Sequence, residues 1–215
     1  MKAIIFDLDG VIVSTDAYHF KAWKMLADRL GIPFTEKDND RQRGVSRMES
    51  LEVVLEKSPI KYTQEEKIAL ATEKNENYVK SLEGLTEKEL LEGVSSTLRK
   101  LRTKGLILAI GSSSKNTRLI LNKIGLGDFF DAIADGNDIK NSKPNPEVFL
   151  KAAEKIGQKP CDCLVVEDAE AGVSAAKAGG FYCAGIGGAK NDKRVDYALN
   201  TFSDLLKIFD CVVND

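Results

Sequence analysis

The 215-residue sequence lacks an excess of charge of either sign and lacks a long apolar run. Its 31 basic and 33 acidic residues leave a formal charge of -2, so the composition does not indicate a nucleic-acid partner. No apolar segment approaches the ~20 residues that a membrane-spanning helix needs. The first residues combine a lysine with apolar side chains, but Asp7 and Asp9 interrupt them, so we expect no signal peptide. These features predict a protein with neither nucleic acid nor membrane as a partner.

Cysteine is scarce, and its spacing fits neither a disulfide framework nor a zinc site. The four cysteines are Cys161, Cys163, Cys183 and Cys211. The pair at 161 and 163 is not a recognised zinc spacing and has no second pair or nearby histidine. We therefore expect reduced thiols, several of them packed as small hydrophobic groups, and a cytoplasmic location, because disulfides are rare in that compartment.

Apolar strands alternate with amphipathic helices along most of the chain. Four apolar segments have the length of buried strands: residues 2–6, 106–110, 164–166 and 181–186. Four helical segments flank them, each followed by a glycine: residues 95–104, 115–124, 146–156 and 169–178. Glycine just past a helix is the expected stop, and this alternation is typical of a parallel, doubly wound sheet. The sequence thus predicts an α/β fold with a Rossmann-like parallel-sheet core.

One stretch, from Ser14 to Leu82, contains helical patterns and no convincing strand. Residues 17–30 are amphipathic, and Ser46 and Thr63 each begin a capping box that opens a further helix. This pattern predicts a small helical cap domain inserted after the first strand. The predicted domains are a catalytic core, residues 1–13 and 83–215, and the cap, residues 14–82.

Acidic residues gather where the apolar strand segments end. Asp7 and Asp9 follow the first segment. Glu167 and Asp168 follow the third. Ligands of open α/β sheets bind outside the carboxyl ends of the strands, where converging carboxylates would repel one another unless a cation neutralised them. Mg²⁺ fits best, because it takes oxygen ligands and shares its shell with water and phosphate.

Two further residues supply what a phosphoryl group needs. Ser112 follows the second apolar segment, and Lys143 lies in the loop Ser142-Lys143-Pro144. They offer a hydrogen-bond donor and a fixed positive charge. With the carboxylates, they predict Mg²⁺-dependent phosphoryl transfer. The alternative is that acidic turn residues merely end the strands.

Four motifs in this order resemble those of the haloacid dehalogenase superfamily. They are Asp7-Leu8-Asp9-Gly10-Val11, Gly111-Ser112-Ser113-Ser114-Lys115-Asn116, Ser142-Lys143-Pro144 and Glu167-Asp168. The resemblance covers nearly the whole chain and implies a Rossmann-like core with a helical cap. It implies that Asp7 is the nucleophile and that Asp9 is the general acid/base, with its carbonyl on Mg²⁺. It also places Glu167 and Asp168 in the metal site, with Ser112 and Lys143 on the phosphoryl group. Such a pair of carboxylates is chemically apt, because one can attack phosphorus while the other protonates the leaving oxygen.

Three cap segments resemble the β-phosphoglucomutase branch of that superfamily. They are residues 18–24, residues 43–47 with Ser50, and residues 74–79. The chain departs from the branch at Ser14, where an aspartate is usual, and at Arg43, where a lysine is common. The resemblance implies that these residues bind substrate or phosphate: His19, Trp23, Arg43, Gly44, Val45, Arg47, Ser50, Lys74, Ser112, Ser113, Ser114, Lys115, Asn116 and Lys143.

The local sequence around some of these residues suits a binding role. His19 and Trp23 are four apart and share one helix face, so they could stack on a sugar and bind its hydroxyls; the alternative is a core tryptophan with an incidental histidine. Arg47 lies at a predicted helix N-terminus, which favours an anion, and its guanidinium could hold a second phosphate; the alternative is a solvated arginine. Helix capping alone could explain Lys115 and Asn116.

The leading hypothesis is a β-phosphoglucomutase that interconverts β-glucose 1-phosphate and glucose 6-phosphate through a phosphoaspartate and a glucose 1,6-bisphosphate. Its partner is then a small-molecule sugar phosphate, and we expect a monomer. One alternative is a sugar-phosphate phosphatase with the same core residues. A non-enzymatic phospho-acceptor domain is a third, but it would need no substrate cap.

Overall fold

The computed structural model describes residues 1–210 and contains a six-stranded parallel sheet. Its strands are β1 (Ala3–Phe6), β2 (Ile107–Gly111), β3 (Ala132–Ala134), β4 (Cys163–Glu167), β5 (Tyr182–Gly185) and β6 (Tyr197–Ala198). Their order in the sheet is β3-β2-β1-β4-β5-β6, and every pair is parallel. The α/β, Rossmann-like fold expected from the alternation is confirmed.

Helices cover both faces of this sheet. The α-helices of residues 1–210 are α1 (Asp16–Arg29), α2 (Glu36–Asp40), α3 (Arg47–Leu55), α4 (Gln64–Ser81), α5 (Val94–Thr103), α6 (Thr117–Lys123), α7 (Glu147–Lys155), α8 (Glu170–Ala178) and α9 (Leu205–Asp210). Successive side chains of a strand point to opposite faces. Accordingly, Ile4 and Phe6 pack in one apolar cluster, whereas Ala3 and Ile5 pack in another. This two-sided burial explains why β1 is apolar throughout.

Helices α1 to α4 lie between β1 and β2 and have an apolar cluster of their own. Trp23, Leu26 and Leu51 are among its buried members. The capping boxes predicted at Ser46 and Thr63 are confirmed: each hydroxyl accepts a hydrogen bond from the backbone of the third residue of its helix, α3 or α4. A cluster of this kind is typical of a small unit set on the core, and Ala22 of α1 and Tyr78 of α4 join it to the apolar cluster of the sheet.

Other sequence expectations differ from the structure in detail. Short elements were missed, namely β3, β6, α2 and α9, since six residues or fewer show too little periodicity. Helix α6 begins at Thr117, not Lys115, because the backbone of Asn116 binds the Ser114 hydroxyl.

Within residues 1–210, Cys161 is exposed, Cys163 and Cys183 are buried, and all three thiols are free; Cys211 lies outside the described residues. No helix of the described chain is long and apolar enough to cross a membrane.

Candidate active site

The carboxyl ends of β1, β2 and β4 lead into a cavity of about 1290 Å³ that is lined by core and cap residues. All the predicted site residues line this cavity except Lys143 and Glu167. Those two are fully buried and contact each other, and Lys143 also contacts Asp7. The fold therefore gathers the predicted residues at one place, although their individual roles stay predictions.

Asp7, Glu167 and Asp168 form a buried acidic cluster at the ends of β1 and β4. One carboxylate oxygen from each lies within 4.8 Å of the others. The register explains this proximity, because Phe6 of β1 pairs with Val166 of β4 and the acidic residues follow directly. All three are less than a tenth exposed, so water screens them little and their mutual repulsion requires positive charge nearby.

Lys143 supplies one such charge. Its ammonium donates hydrogen bonds to Asp7 Oδ1 at 2.6 Å and to Glu167 Oε1 at 2.5 Å. Burial alone would lower the pKa of this ammonium, but the adjacent Asp7 and Glu167 carboxylates raise that pKa above its ordinary value. Lys143 thus stays protonated and holds two of the three acidic groups in fixed positions.

The rest of the cluster's negative charge fits a divalent cation. Burial raises the pKa of Glu167 to about 7, even though Lys143 opposes the shift. Burial, with the neighbouring Glu167 and Asp7, raises the pKa of Asp168 to about 8. A hard cation would stabilise the ionised forms of both groups, and clustered carboxylate oxygens are the ligands that such a cation takes.

Two glycines allow the backbone to approach these carboxylates. Gly10 has φ of +81°, which glycine adopts without strain, and a β-carbon there would lie 2.1 Å from Asp168 Oδ2. Gly172 lies inside α8, where a β-carbon would lie 1.9 Å from the carboxyl carbon of Glu167. Gly172 was not predicted as a site residue. Its position inside a helix was the available signal, because glycine there costs roughly 1 kcal/mol relative to alanine.

Asp9 is not one of the three carboxylates of the acidic cluster. Its carboxylate accepts a hydrogen bond from the hydroxyl of Thr15, a fully buried residue that the sequence pattern did not indicate. Burial and the nearby Asp7 charge raise the pKa of Asp9 to about 7. A carboxyl group that titrates near neutral pH can both donate and accept a proton. The contact predicted between its backbone carbonyl and the metal stays a prediction.

The loop after β2 presents polar groups to the cavity. Ser112 is 2% exposed, and its hydroxyl accepts a hydrogen bond from the backbone of Ser114 at 3.2 Å. The Ser113 hydroxyl is buried and has no hydrogen-bond partner within the described chain. Asn116 donates to the side chain of Asn75 on α4 at 2.9 Å, which links core and cap. With exposed Lys115, this loop offers donors and a positive charge that suit an anion.

A buried cation lies on the cap side of the cavity. Lys74 is 3% exposed, and its ammonium is 2.9 Å from His19 Nδ1. The same ammonium lies 4.5 Å above the Trp23 ring and 4.7 Å above the Tyr78 ring. Burial and the Arg47 charge lower the pKa of Lys74 to about 7, and burial and Lys74 lower the pKa of His19.

This arrangement refines the interpretation of Trp23. The indole is 2% exposed and belongs to the cap's apolar cluster, while Lys74 covers one of its faces. Cation–π attraction of this kind stabilises a charge that burial disfavours. Trp23 therefore contacts Lys74 at the cavity, and its predicted stacking on a sugar stays a prediction.

Arg47 is the first residue of α3 and faces the same cavity. It is half-buried, and burial lowers the pKa of its guanidinium. Within residues 1–210 it forms no ion pair, unlike Arg41 and Arg43 nearby. Ser50, one turn further along α3, is 5% exposed. An unpaired guanidinium beside a helix N-terminus can bind an anion such as phosphate.

The loop before α3 carries Arg43, Gly44 and Val45, and all three line the cavity. Arg43 forms ion pairs with two carboxylates: its guanidinium lies 2.7 Å from Asp16 and 3.7 Å from Asp168. Asp16, the first residue of α1, was not predicted as a site residue. Nothing in the local sequence indicates its contact with a side chain 27 positions away.

The chain is similar in sequence and fold to several known proteins. A family model described as haloacid dehalogenase-like hydrolase matches residues 1–180. A β-phosphoglucomutase of Bacillus subtilis is 41% identical over 95% of this chain and 92% of its own length. A phosphorylated carbohydrates phosphatase of Thermotoga maritima is 32% identical over 84% of this chain and 82% of its own length. The crystal structure of a β-phosphoglucomutase from Clostridium difficile aligns with a TM-score of 0.91 at 37% identity, covering 98% of this chain and 96% of that one.

Proposed function

Because the chain belongs to the haloacid dehalogenase-like hydrolase family, we propose that it is a β-phosphoglucomutase. It interconverts β-glucose 1-phosphate and glucose 6-phosphate through a phosphoaspartate on Asp7 and a bound glucose 1,6-bisphosphate. The observation that carries this proposal is the Arg47 guanidinium, which forms no ion pair within residues 1–210 and lies on the cap side of the cavity that also contains Asp7. A mutase needs two phosphate sites, because its bisphosphate intermediate must bind in both orientations.

The core residues support the covalent half of the reaction. Asp7 Oδ1 accepts a hydrogen bond from the Lys143 ammonium, which holds the carboxylate in a fixed position for attack on phosphorus. Asp9, with its pKa raised to about 7 by burial and by Asp7, exchanges a proton with the sugar hydroxyl. Mg²⁺ held by Asp7, Glu167 and Asp168 would supply positive charge for the transferring phosphoryl oxygens. Ser112 and Lys143 complete the binding of that group.

The cap residues support transfer to a sugar instead of to water. Lys74, His19 and Arg47 bring polar and cationic groups to the same cavity, where a phosphorylated sugar places hydroxyls and a second phosphate. Closure of a cap over such a site excludes water from the phosphoaspartate. We further propose that the protein works as a monomer in the cytoplasm and has no nucleic-acid partner, as its balanced charge suggests.

A sugar-phosphate phosphatase is the second candidate. The relative from Thermotoga maritima, named as a phosphorylated carbohydrates phosphatase, favours it, and the core residues suit both reactions. The deciding assay supplies β-glucose 1-phosphate with a trace of glucose 1,6-bisphosphate and Mg²⁺. Formation of glucose 6-phosphate supports the mutase, whereas release of inorganic phosphate alone supports the phosphatase.

Arg47→Ala tests the second phosphate site. Charge-assisted hydrogen bonds contribute about 1.5–3 kcal/mol each, so kcat/KM for the sugar phosphate should fall roughly 10- to 150-fold. Hydrolysis of acetyl phosphate, which needs only the core site, should change little. Arg41→Ala is the matched control, because Arg41 is exposed and pairs with Glu56 at 2.7 Å. Equal losses on both substrates would mean that Arg47 serves the fold or the core site.

A further inference from the structure

One guanidinium connects three parts of the molecule that lie around the cavity. Arg43, in the loop between α2 and α3, lies 2.7 Å from Asp16 at the start of α1 and 3.3 Å from Asp40 at the end of α2. Its third contact crosses to the core, where a guanidinium nitrogen is 3.7 Å from Asp168 Oδ2. The arginine thus bridges two cap helices and a carboxylate of the acidic cluster.

Asp168 has a different cationic partner from the other two carboxylates of the acidic cluster. Lys143 pairs with Asp7 and Glu167, but it forms no ion pair with Asp168. Within residues 1–210, the cationic side chain that pairs with Asp168 is Arg43. A cap residue therefore supplies the positive charge that the proposed metal would otherwise give to this carboxylate.

We propose that Arg43 is a positioning residue that holds the cap against the core while Asp168 carries no metal, and that Mg²⁺ competes with Arg43 for this carboxylate. This inference rests on the proposed metal site. Coupling between two binding events is reciprocal, so a cation that weakens the Arg43 contact also loosens the cap. Arginine suits the role because its planar fork can contact several carboxylates at once, whereas a lysine ammonium is a single point of charge.

The test is calorimetric titration of Mg²⁺ into the full chain without sugar or phosphate. Arg43→Gln removes the competing charge and should tighten Mg²⁺ binding by about 1.5- to fivefold, the range for a partly exposed ion pair. Arg41→Gln makes the same change in net charge on the cap surface and should bind Mg²⁺ as the wild type does. Arg43→Lys keeps the charge and should return the affinity towards the wild-type value. Thermal unfolding checks that each variant is folded.

The direction of the change in Mg²⁺ affinity distinguishes this positioning role from a purely structural one. A residue that merely supported the site would weaken Mg²⁺ binding when replaced, so unchanged or weaker binding in folded Arg43→Gln overturns the proposal. An equal gain in Arg41→Gln also overturns it, because the effect would then come from net charge. Failure of the wild type itself to bind Mg²⁺ would instead refute the metal site of the proposed function.

Small-angle X-ray scattering supplies a second measurement. In chelator, the wild type should be more compact than Arg43→Gln, and adding Mg²⁺ should expand the wild type towards the radius of gyration of that variant. Equal radii of gyration for the two proteins in chelator would refute the part of the proposal that concerns the cap.

Discussion

Replacing Lys143 with methionine removes the ammonium that lies between two buried carboxylates. The ammonium lies 2.6 Å from Asp7 and 2.5 Å from Glu167, and its side chain is 0% exposed. Methionine keeps most of the apolar stem but leaves both carboxylates without their common partner. Water cannot compensate, because Glu167 is fully buried as well.

The expected loss of stability in Lys143→Met follows from the free-energy cost of a buried charge without a partner. Removing one partner of a buried ion pair destabilises a protein by about 3–5 kcal/mol. For a chain of this length, each kcal/mol shifts the melting temperature by about 2–4 °C, so Lys143→Met should melt roughly 6–20 °C below the wild type. Lys140→Met is the control, since Lys140 is an exposed lysine of the same loop and its loss should cost little.

The destabilisation by Lys143→Met should increase as the pH rises. Burial already raises the pKa of Glu167 to about 7 in the presence of Lys143, and loss of the lysine should raise it further. A carboxyl group with a raised pKa in the folded state stabilises the protein at low pH, and that contribution is lost as the pH rises through the folded-state pKa. The destabilisation by Lys143→Met should therefore be larger at about pH 8 than at about pH 5.5.

Urea unfolding at both pH values, in chelator and again with Mg²⁺, measures these differences. Mg²⁺ should restore more stability to Lys143→Met than it adds to the wild type, because a ligand that binds the folded state stabilises it and the freed carboxylates can pair with the cation. A cost below about 1 kcal/mol, the value of an exposed pair, would refute the reasoning. So would a cost that is equal at the two pH values.

Three other predictions concern residues of the same site. Asp7→Asn should lower phosphoryl transfer by ~10⁴-fold or more while a cooperative urea transition shows that the protein is still folded, because the amide is not a nucleophile; trapping of a phosphorylated protein in this variant would contradict the assignment. Asp9→Asn should lose 10²–10⁴-fold in turnover as an order of magnitude but keep its Mg²⁺ affinity by calorimetry, and wild-type turnover would show that Asp9 has another role. Gly172→Ala should displace Glu167, destabilise by roughly 1–3 kcal/mol and weaken Mg²⁺ binding. Gly84→Ala, where a β-carbon meets no atom within 4 Å, should do neither.

Local sequence patterns determined most of the architecture and the position of the site. The apolar run Ala3–Phe6 is a buried central strand because both of its faces are covered. The capping boxes at Ser46 and Thr63 mark the starts of α3 and α4, because hydrogen bonds between residues three apart are local. Acidic residues that follow parallel strands must meet at one edge of the sheet, which is why the sequence alone predicts that Asp7 and Asp168 lie close together.

Only the tertiary structure decided which charged side chains of the site form ion pairs with one another. Lys143 is 136 positions from Asp7 and 24 from Glu167, and Arg43 reaches Asp168 across the boundary between cap and core. Periodicity and capping depend on neighbours a few residues apart, whereas such pairs depend on how loops pack. The same limit applies to Gly172, whose missing β-carbon matters because α8 packs against the Glu167 carboxylate. The sequence by itself thus determined which groups reach the site, and the packing of distant segments determined their partners and hence their protonation.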